Sequence, residues 1–330
     1  MTGETDGIQE TGSGTGSGPN PARTEHRETG AASPGTEFRP FELGDRNFLE
    51  PWFRDNPMGL CEYSFAVQFC WHPFNRSMWA VIDNMLVIRF VVDGQVRFVC
   101  PIGRGDRVAV IRKLMSWQED CGSTPRIDFA PADAGCRNPG PGLCSVDDTA
   151  NDDYVYLAAD LATLPGRRFS QKRNHIAALS RSGKWSVARV DQAAAAGAHC
   201  DFVRMWADGK DAPAGSQMAW EADAMVRALA NADALELDVW ELSVDGACCG
   251  VSIGERTSAD TYTIHFEKAL ADVRGAYQAI CSGVAGLLPD GCVYINREQD
   301  LGIEGLRRTK RSWNPVRMEK CLTIVHDNGI

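Results

Sequence analysis

The chain has 330 residues, room for two domains of about 100 to 200 residues each, and its 44% hydrophobic content is enough to bury a core. A formal net charge of −10 and a pI near 5.2 exclude a protein that coats nucleic acid through bulk charge, so no DNA partner is expected and any polyanion must be met by a local basic patch. The N-terminus is polar and no run of about 18 apolar residues occurs, which argues against a secretory signal and a membrane-spanning helix and for a cytoplasmic protein.

Residues 1–38 are rich in Gly, Ser, Thr and Glu, offer almost nothing to bury, and read as a disordered tail. In 39–150, LCEYSFAVQFCWH predicts a helix from Leu60, the run from Trp79 to Gly103 predicts strands turning at Asp93-Gly94, and DRVAVIRKLMSWQEDCG predicts a second helix. A short strand follows over 126–129. The Pro, Gly and Asp of 130–153 read as an inter-domain loop.

In 151–330, Met218, Ala222, Met225 and Leu229 form a helical stripe. Two strands turning at Asp245-Gly246 come next, and then TYTIHFEK as a third strand. A helix marked by Tyr277, Ile280, Val284 and Leu287, the strand CVYIN, a helix over 302–313 and a last strand over 321–325 complete the chain. VDGQVRFVCPIG and VDGACCGVSIG echo one another, and together with the repeated order of elements they suggest two similar α/β units side by side.

Twelve cysteines with no C-x-x-C spacing read as reduced, mostly buried thiols, and no metal site or cofactor is expected. Strict alternation along TYTIHFEK puts Tyr262, Ile264 and Phe266 on one face and Thr263, His265 and Glu267 on the other. Glu267 ends that strand, where open α/β sheets hold ligands, although a salt bridge to Lys268 or a neighbouring helix would also account for it. Asn296, Arg297, Glu298, Gln299 and Asp300 follow the next strand in the same way; Asp300 could equally cap the helix beyond.

Lys310 shares an arc of that helix with Ile303, Leu306 and Trp313. A buried ammonium is costly unless paired, so Lys310 requires either a structural carboxylate or an anionic substrate. Residues 161–190 hold seven Lys or Arg and no acid. There Arg168, Lys172, Arg173 and His175 could hold phosphates or simply line a solvated helix face.

DYVYLAADLATLPGRRFSQKRNHI, IHFEKALADVRGAYQAI, YINREQDLGIEGLRRTKRSWNP and CEYSFAVQFCWH resemble the DUF2156 family, soluble proteins similar to the C-terminal catalytic domain of phosphatidylglycerol lysyltransferase. Gly305-Leu306-Arg307, Lys310 and Pro315 resemble the G-L-R-x-x-K-x-x-x-x-P stretch of the lysyltransferases. The resemblance implies an α/β (α+β) chain of two tandem GNAT-like (acyl-CoA N-acyltransferase-like) domains, with mixed sheets flanked by helices, over 39–150 and 151–330, the active cleft in the second. It also implies an aminoacyltransferase that moves an amino acid from aminoacyl-tRNA to a hydroxyl or amine acceptor, a phospholipid or a small molecule, with peripheral contact to the membrane as one form of such an activity.

Carried over, the resemblance gives catalytic roles to Lys310, Glu267, Glu298 and Asp300, with Lys310 beside the phosphate or the developing oxyanion. Substrate binding falls to Asn296, Arg297, Arg307 and His265, and anion binding to Arg168, Lys172, Arg173 and His175. The alternatives are an acyl-CoA-dependent N-acyltransferase and a non-catalytic binding module of the same fold. The connection KALADVRGAYQ lacks the Q/R-x-x-G-x-G/A loop with which acyl-CoA enzymes hold pyrophosphate.

Overall fold

A computed structural model describes residues 36–132, 135–210, 213 and 215–327. Nearly all of the tail expected over 1–38 lies outside the described residues. The chain begins with β1 (Arg39–Pro40), α1 (Arg46–Asp55), α2 (Phe65–Asn75), β2 (Met78–Ile82), β3 (Met85–Val92), β4 (Gln95–Val99), β5 (Ile102–Gly103), α3 (Arg107–Asp120), β6 (Ile127–Pro131) and β7 (Leu143–Asp147). It continues with β8 (Asp153–Leu157), α4 (Ala158–Thr163), α5 (Ser170–Ser182), β9 (Trp185–Val190), α6 (Ala198–Asp208), α7 (Gln217–Ala230), β10 (Asp238–Val244) and β11 (Ala247–Arg256). Last come β12 (Thr261–Ala269), α8 (Ala276–Leu287), β13 (Tyr294–Asn296), α9 (Glu304–Arg311), β14 (Arg317–Glu319) and β15 (Cys321–His326).

Two mixed sheets flanked by helices result, the tandem GNAT-like α/β arrangement that the resemblance implies. The first has the order β1-β2-β3-β4-β6-β15-β7, with β5 beside β3, and the second the order β14-β8-β13-β12-β11-β10-β9. Both contain one parallel pair, β4 with β6 and β12 with β13. A cut at residue 150 separates β7 from β8, yet β15 crosses back to lie between β6 and β7. The expected inter-domain loop also contains β7, which finds its partner in β15, far away in sequence.

Both Asp-Gly turns form, each residue with positive φ (Asp93 50°, Gly94 74°, Asp245 50°, Gly246 83°), as tight hairpins of right-twisted strands require. The hairpins are not equivalent. The first joins β3 to β4, itself a strand of the parallel pair, whereas the second joins β10 and β11, of which β11 only lies beside that pair.

One face of the second sheet packs Val239, Val251, Ile253 and Phe266 with α6, α7 and the first unit. The other packs Trp240, Leu242, Tyr262 and Ile264 against α4, α5 and α8. Phe266 thus stands on the face opposite to the one alternation predicts. Opposite β12, Ile253 pairs with Phe266 and Gly254 with Ile264, so His265 is the extra residue of a β-bulge. Beyond it Phe266 turns to stack on Trp71 of α2, ring centroids 6.3 Å apart. Gly254 makes the bulge possible, because a Cβ there would lie 2.3 Å from the Thr263 carbonyl oxygen.

Two helices depart from expectation in a way that matters for the site. α2 starts at Phe65, not Leu60, because the Ser64 hydroxyl accepts from the Val67 N–H at 3.3 Å and caps it. Leu60 to Tyr63 are therefore loop. α9 spans only Glu304–Arg311, and Ile303 before it is 49% exposed, so of the expected stripe Trp313 is buried while Leu306 and Lys310 are half-buried. Among the described residues no helix is long and apolar enough to cross a membrane.

Candidate functional site

β12 and β13 pair only from Thr261 with Tyr294 to Thr263 with Asn296. The bulge at His265 follows at once and bends β12 away, opening a wedge between the two strands. Glu267 and Arg297 meet across it, with a guanidinium Nη donating to Glu267 Oε1 at 2.7 Å. Lys268, the other expected partner, instead pairs with Glu221 at 2.7 Å. The Arg297 guanidinium lies 5.4 Å from the Trp313 ring and 5.9 Å from that of Tyr156. Burial raises the Glu267 carboxyl despite Arg297, while for Arg297 burial is outweighed by its surroundings, in which the Glu267 carboxylate holds its guanidinium charged.

Lys310 enters from α9. Its Nζ donates to the carbonyls of Arg297 and Glu298, the latter at 3.0 Å, and sits 5.8 Å from the Tyr154 ring. Glu298 has φ 58°, uncommon for a residue with a side chain, and the Asn296 side-chain carbonyl accepts from its N–H at 2.7 Å. The Glu298 carbonyl also accepts from the Tyr154 N–H at 3.1 Å, which fixes one of the two ligands of the ammonium. The partner of Lys310 within the chain is thus backbone rather than a structural carboxylate. Burial brings its pKa down to about 8, against the nearby charge of Glu298.

His265 faces the first unit. Its Nδ1 lies 2.9 Å from Glu298 Oε1 and its Nε2 3.0 Å from Glu255 Oε1, the carboxylate that also accepts from the Ser64 hydroxyl. Burial opposes charge on the ring, but the two carboxylates prevail and raise it to about 10. A charged imidazolium therefore links the cap of α2 to the Glu298 corner. Asp300 stands behind the same corner, accepting from Arg307 at 2.8 and 3.0 Å, from the Tyr154 hydroxyl at 2.6 Å and from the Gly302 N–H at 2.8 Å. Its burial is outweighed by those donors, which hold it at about 2. Asp300 and Arg307 brace the loop.

Lys310, Glu267, Arg297, Glu298, Asn296 and His265 thus come together, with Asp300 and Arg307 adjoining. The basic patch divides. Lys172 joins the rim, donating to the Ser312 hydroxyl at 2.7 Å and lying 4.6 Å over the Trp313 ring. Arg168 instead pairs with Asp160, and Arg173 is occupied by the carbonyls of Leu164 and Gly166. His175 lines a separate hollow with Leu270, Arg274 and Tyr277. Arg168 and Arg173 are thus used locally by the fold, and His175 lines the other hollow rather than the wedge.

Residues of the junction escaped the sequence. Cys61 and Glu62 fall in the loop before α2 and Asp153 opens β8; the Cys61 N–H and the Asn296 amide both donate to Asp153 Oδ2, at 2.7 and 2.8 Å. The one signal was a carboxylate inside the apolar run LCEYSF. A cavity of about 310 Å³ opens beside them, lined by Leu60, Tyr63, Thr263, Asn296, Arg317 and Glu319.

Two α/β units whose second sheet parts at a parallel pair, with a half-buried lysine at the opening, define a chain of the tandem GNAT-like fold. The family described as phosphatidylglycerol lysyltransferase, C-terminal, matches residues 54–324, and the chain belongs to it. No curated protein matches. Among solved structures, a conserved protein of unknown function from Bacteroides thetaiotaomicron VPI-5482 is similar at 29% identity with a TM-score of 0.80, over 88% of this chain and 99% of that one. The C-terminal domain (DUF2156) of a putative lysylphosphatidylglycerol synthetase from Agrobacterium fabrum shares the fold at TM-score 0.58 and 15% identity, over 80% and 86% of the two chains. So does L-PGS from Bacillus licheniformis, at TM-score 0.58 and 12% identity, over 87% and 93%.

Proposed function

We propose that this chain is an aminoacyltransferase that moves an amino acid from aminoacyl-tRNA to a hydroxyl or amine acceptor, with the wedge between β12 and β13 as its reaction centre. The observation that carries this reading is the Lys310 ammonium, held by two backbone carbonyls at the mouth of that wedge. An ammonium has three donors, so one remains for an incoming oxygen. When the acceptor attacks the ester carbonyl of the donor, negative charge grows on the carbonyl oxygen. A fixed cation in a water-poor site stabilises that charge more than it stabilises the ground state.

The remaining groups keep Lys310 in place. Arg297 supplies one carbonyl from its backbone while its side chain neutralises Glu267, and His265 with Asn296 sets the Glu298 corner that supplies the other. Lys172 over Trp313 adds a cation at the rim for a phosphate of the donor. The cavity beside Asn296 falls within the roughly 300–1,000 Å³ of small-molecule sites, which supports entry of a small polar acceptor there. An acyl-CoA donor is disfavoured because Gly275, the one glycine of the β12-α8 connection, packs against α5; a Cβ there would lie 2.3 Å from the His175 carbonyl oxygen.

The test is transfer from a pool of labelled aminoacyl-tRNAs to lipids and small metabolites, run beside Lys310→Ala. Label should leave tRNA for a new product, with a rate lowered at least ~100-fold in the variant, the scale of losing one oxyanion donor. Label that stays on tRNA while acyl-CoA binds saturably would overturn the reading.

A further inference from the structure

We propose that Cys61, Glu62 and Asp153 form a divalent-cation site, of the class that takes zinc, which joins the first unit to the second. Cys61 and Glu62 come from the loop before α2, and Asp153 opens β8 in the other sheet. One ligand atom from each lies within 4.8 Å of the others. Bonds of roughly 2.0–2.3 Å to a single ion place its ligands within such a span.

The carboxylates carry the second observation. Glu62 is 7% exposed and Asp153 0%, yet Glu62 Oε2 and Asp153 Oδ1 are buried without a hydrogen-bond partner. Buried polar atoms in folded proteins are almost always partnered, so two orphaned oxygens in one cluster point to something that binds them. Their other oxygens are fixed. Glu62 Oε1 accepts from the Gln299 amide at 3.0 Å, and Asp153 Oδ2 from the Cys61 N–H and the Asn296 amide. Metal-binding carboxylates are held in this way by outer hydrogen bonds. Gln299 Oε1 lies 3.0 Å from Cys61 Sγ and offers a neutral fourth ligand.

Ligand chemistry selects the ion. One sulfur among oxygens favours zinc over magnesium or calcium, which prefer oxygen alone. Space excludes a substrate amine, since the cavity beside Asn296 is not lined by Glu62 or Asp153 and both orphaned oxygens are closed to solvent. The nearby cations make no hydrogen bond to either orphaned oxygen: Lys310 donates to the carbonyls of Arg297 and Glu298, and His265 pairs with Glu298 and Glu255. Without an ion, burial first and the neighbouring carboxylate second raise Glu62, and burial brings Asp153 up to about 7. Uptake of the ion releases to solvent the Cys61 thiol proton and any proton the carboxyls share, so binding tightens as pH rises.

The test uses the full chain, stripped with a chelator and titrated with Co²⁺ as a spectroscopic probe and then with Zn²⁺. One equivalent of Co²⁺ should bind with thiolate-to-metal charge-transfer absorption that Zn²⁺ displaces. Cys61→Ser should abolish that absorption, Glu62→Gln should weaken uptake at least ~10-fold, and Cys121→Ser, at an exposed cysteine, should leave both unchanged. The wild-type titration needs no variant to fold. Absence of stoichiometric uptake overturns the proposal, as does uptake that Cys61→Ser and Glu62→Gln leave intact; the two carboxyls then hold protons instead. Neither result depends on whether the chain transfers an aminoacyl group.

Discussion

His265→Gln probes the charged bridge between the two units. The imidazole rises from its ordinary 6.5 to about 10 between Glu255 and Glu298, and its side chain is only 2% exposed, so solvent screens the effect little. At about 1.4 kcal/mol per pH unit, a rise of that size amounts to about 5 kcal/mol. Its sign follows from proton binding: between these two values the folded chain holds a proton that the unfolded chain has released. The contribution is therefore complete below about pH 6.5 and is lost as pH rises through about 10. Urea unfolding of wild type and His265→Gln near pH 6 and near pH 10 reads it directly. The stability gap between them should narrow by about 4 kcal/mol at the higher pH, where the folded ring is half titrated, since groups common to both chains cancel. The ring protons of His265 in the NMR spectrum should not titrate between about pH 6 and 9. Parallel pH profiles, or a ring titrating near 6.5, would refute the bridge.

Because Lys310 acts as a cation and its pKa is brought down to about 8, transfer should fall above about pH 8, and Lys310→Arg should move that limb upward while lowering the rate; a rate unchanged up to about pH 10 would remove Lys310 from the charged role. Arg297→Met strands the buried Glu267 and should cost about 3–5 kcal/mol, whereas Arg297→Met with Glu267→Leu should cost less, as a double-mutant cycle in urea measures. Arg173→Gln loses two backbone carbonyl partners and should lower stability by about 1–3 kcal/mol without altering the salt dependence of tRNA binding, whereas Lys172→Gln should reduce that slope by about 1.

Local physics was largely legible in the sequence. Asp93-Gly94 and Asp245-Gly246 turn where their positive φ requires, and Asp106 caps α3 one residue into the expected helix. Lys310 stood out because a lysine in an apolar arc needs a reason, and the structure supplies two carbonyls. What could not be read depends on contacts between distant segments. Alternation along TYTIHFEK breaks at His265 because Gly254 on the neighbouring strand lets the backbone close in, a fact that no period within β12 encodes. Arg173 and Lys172 look alike in sequence, yet one meets carbonyls of the preceding turn and the other an indole some 140 residues later. Cys61 and Glu62 lie in a loop of the first unit and Asp153 in a strand of the second, so nothing local set them apart from buried thiols and helix-flanking acids.

The crossing of β15 into the first sheet has a consequence for how the chain is made. β15 lies between β6 and β7, and it pairs Ile324 with Ile127, about 200 residues earlier. Until that strand has been synthesised and has left the ribosome, β6 and β7 each present an open edge, where unpaired backbone recruits other chains. Contacts of such sequence separation also form slowly, because a long loop must close before they return any free energy. The two units are thus successive in sequence but not in folding: the first waits on the end of the second, and the nascent first unit is the stage at which this protein most needs protection from aggregation.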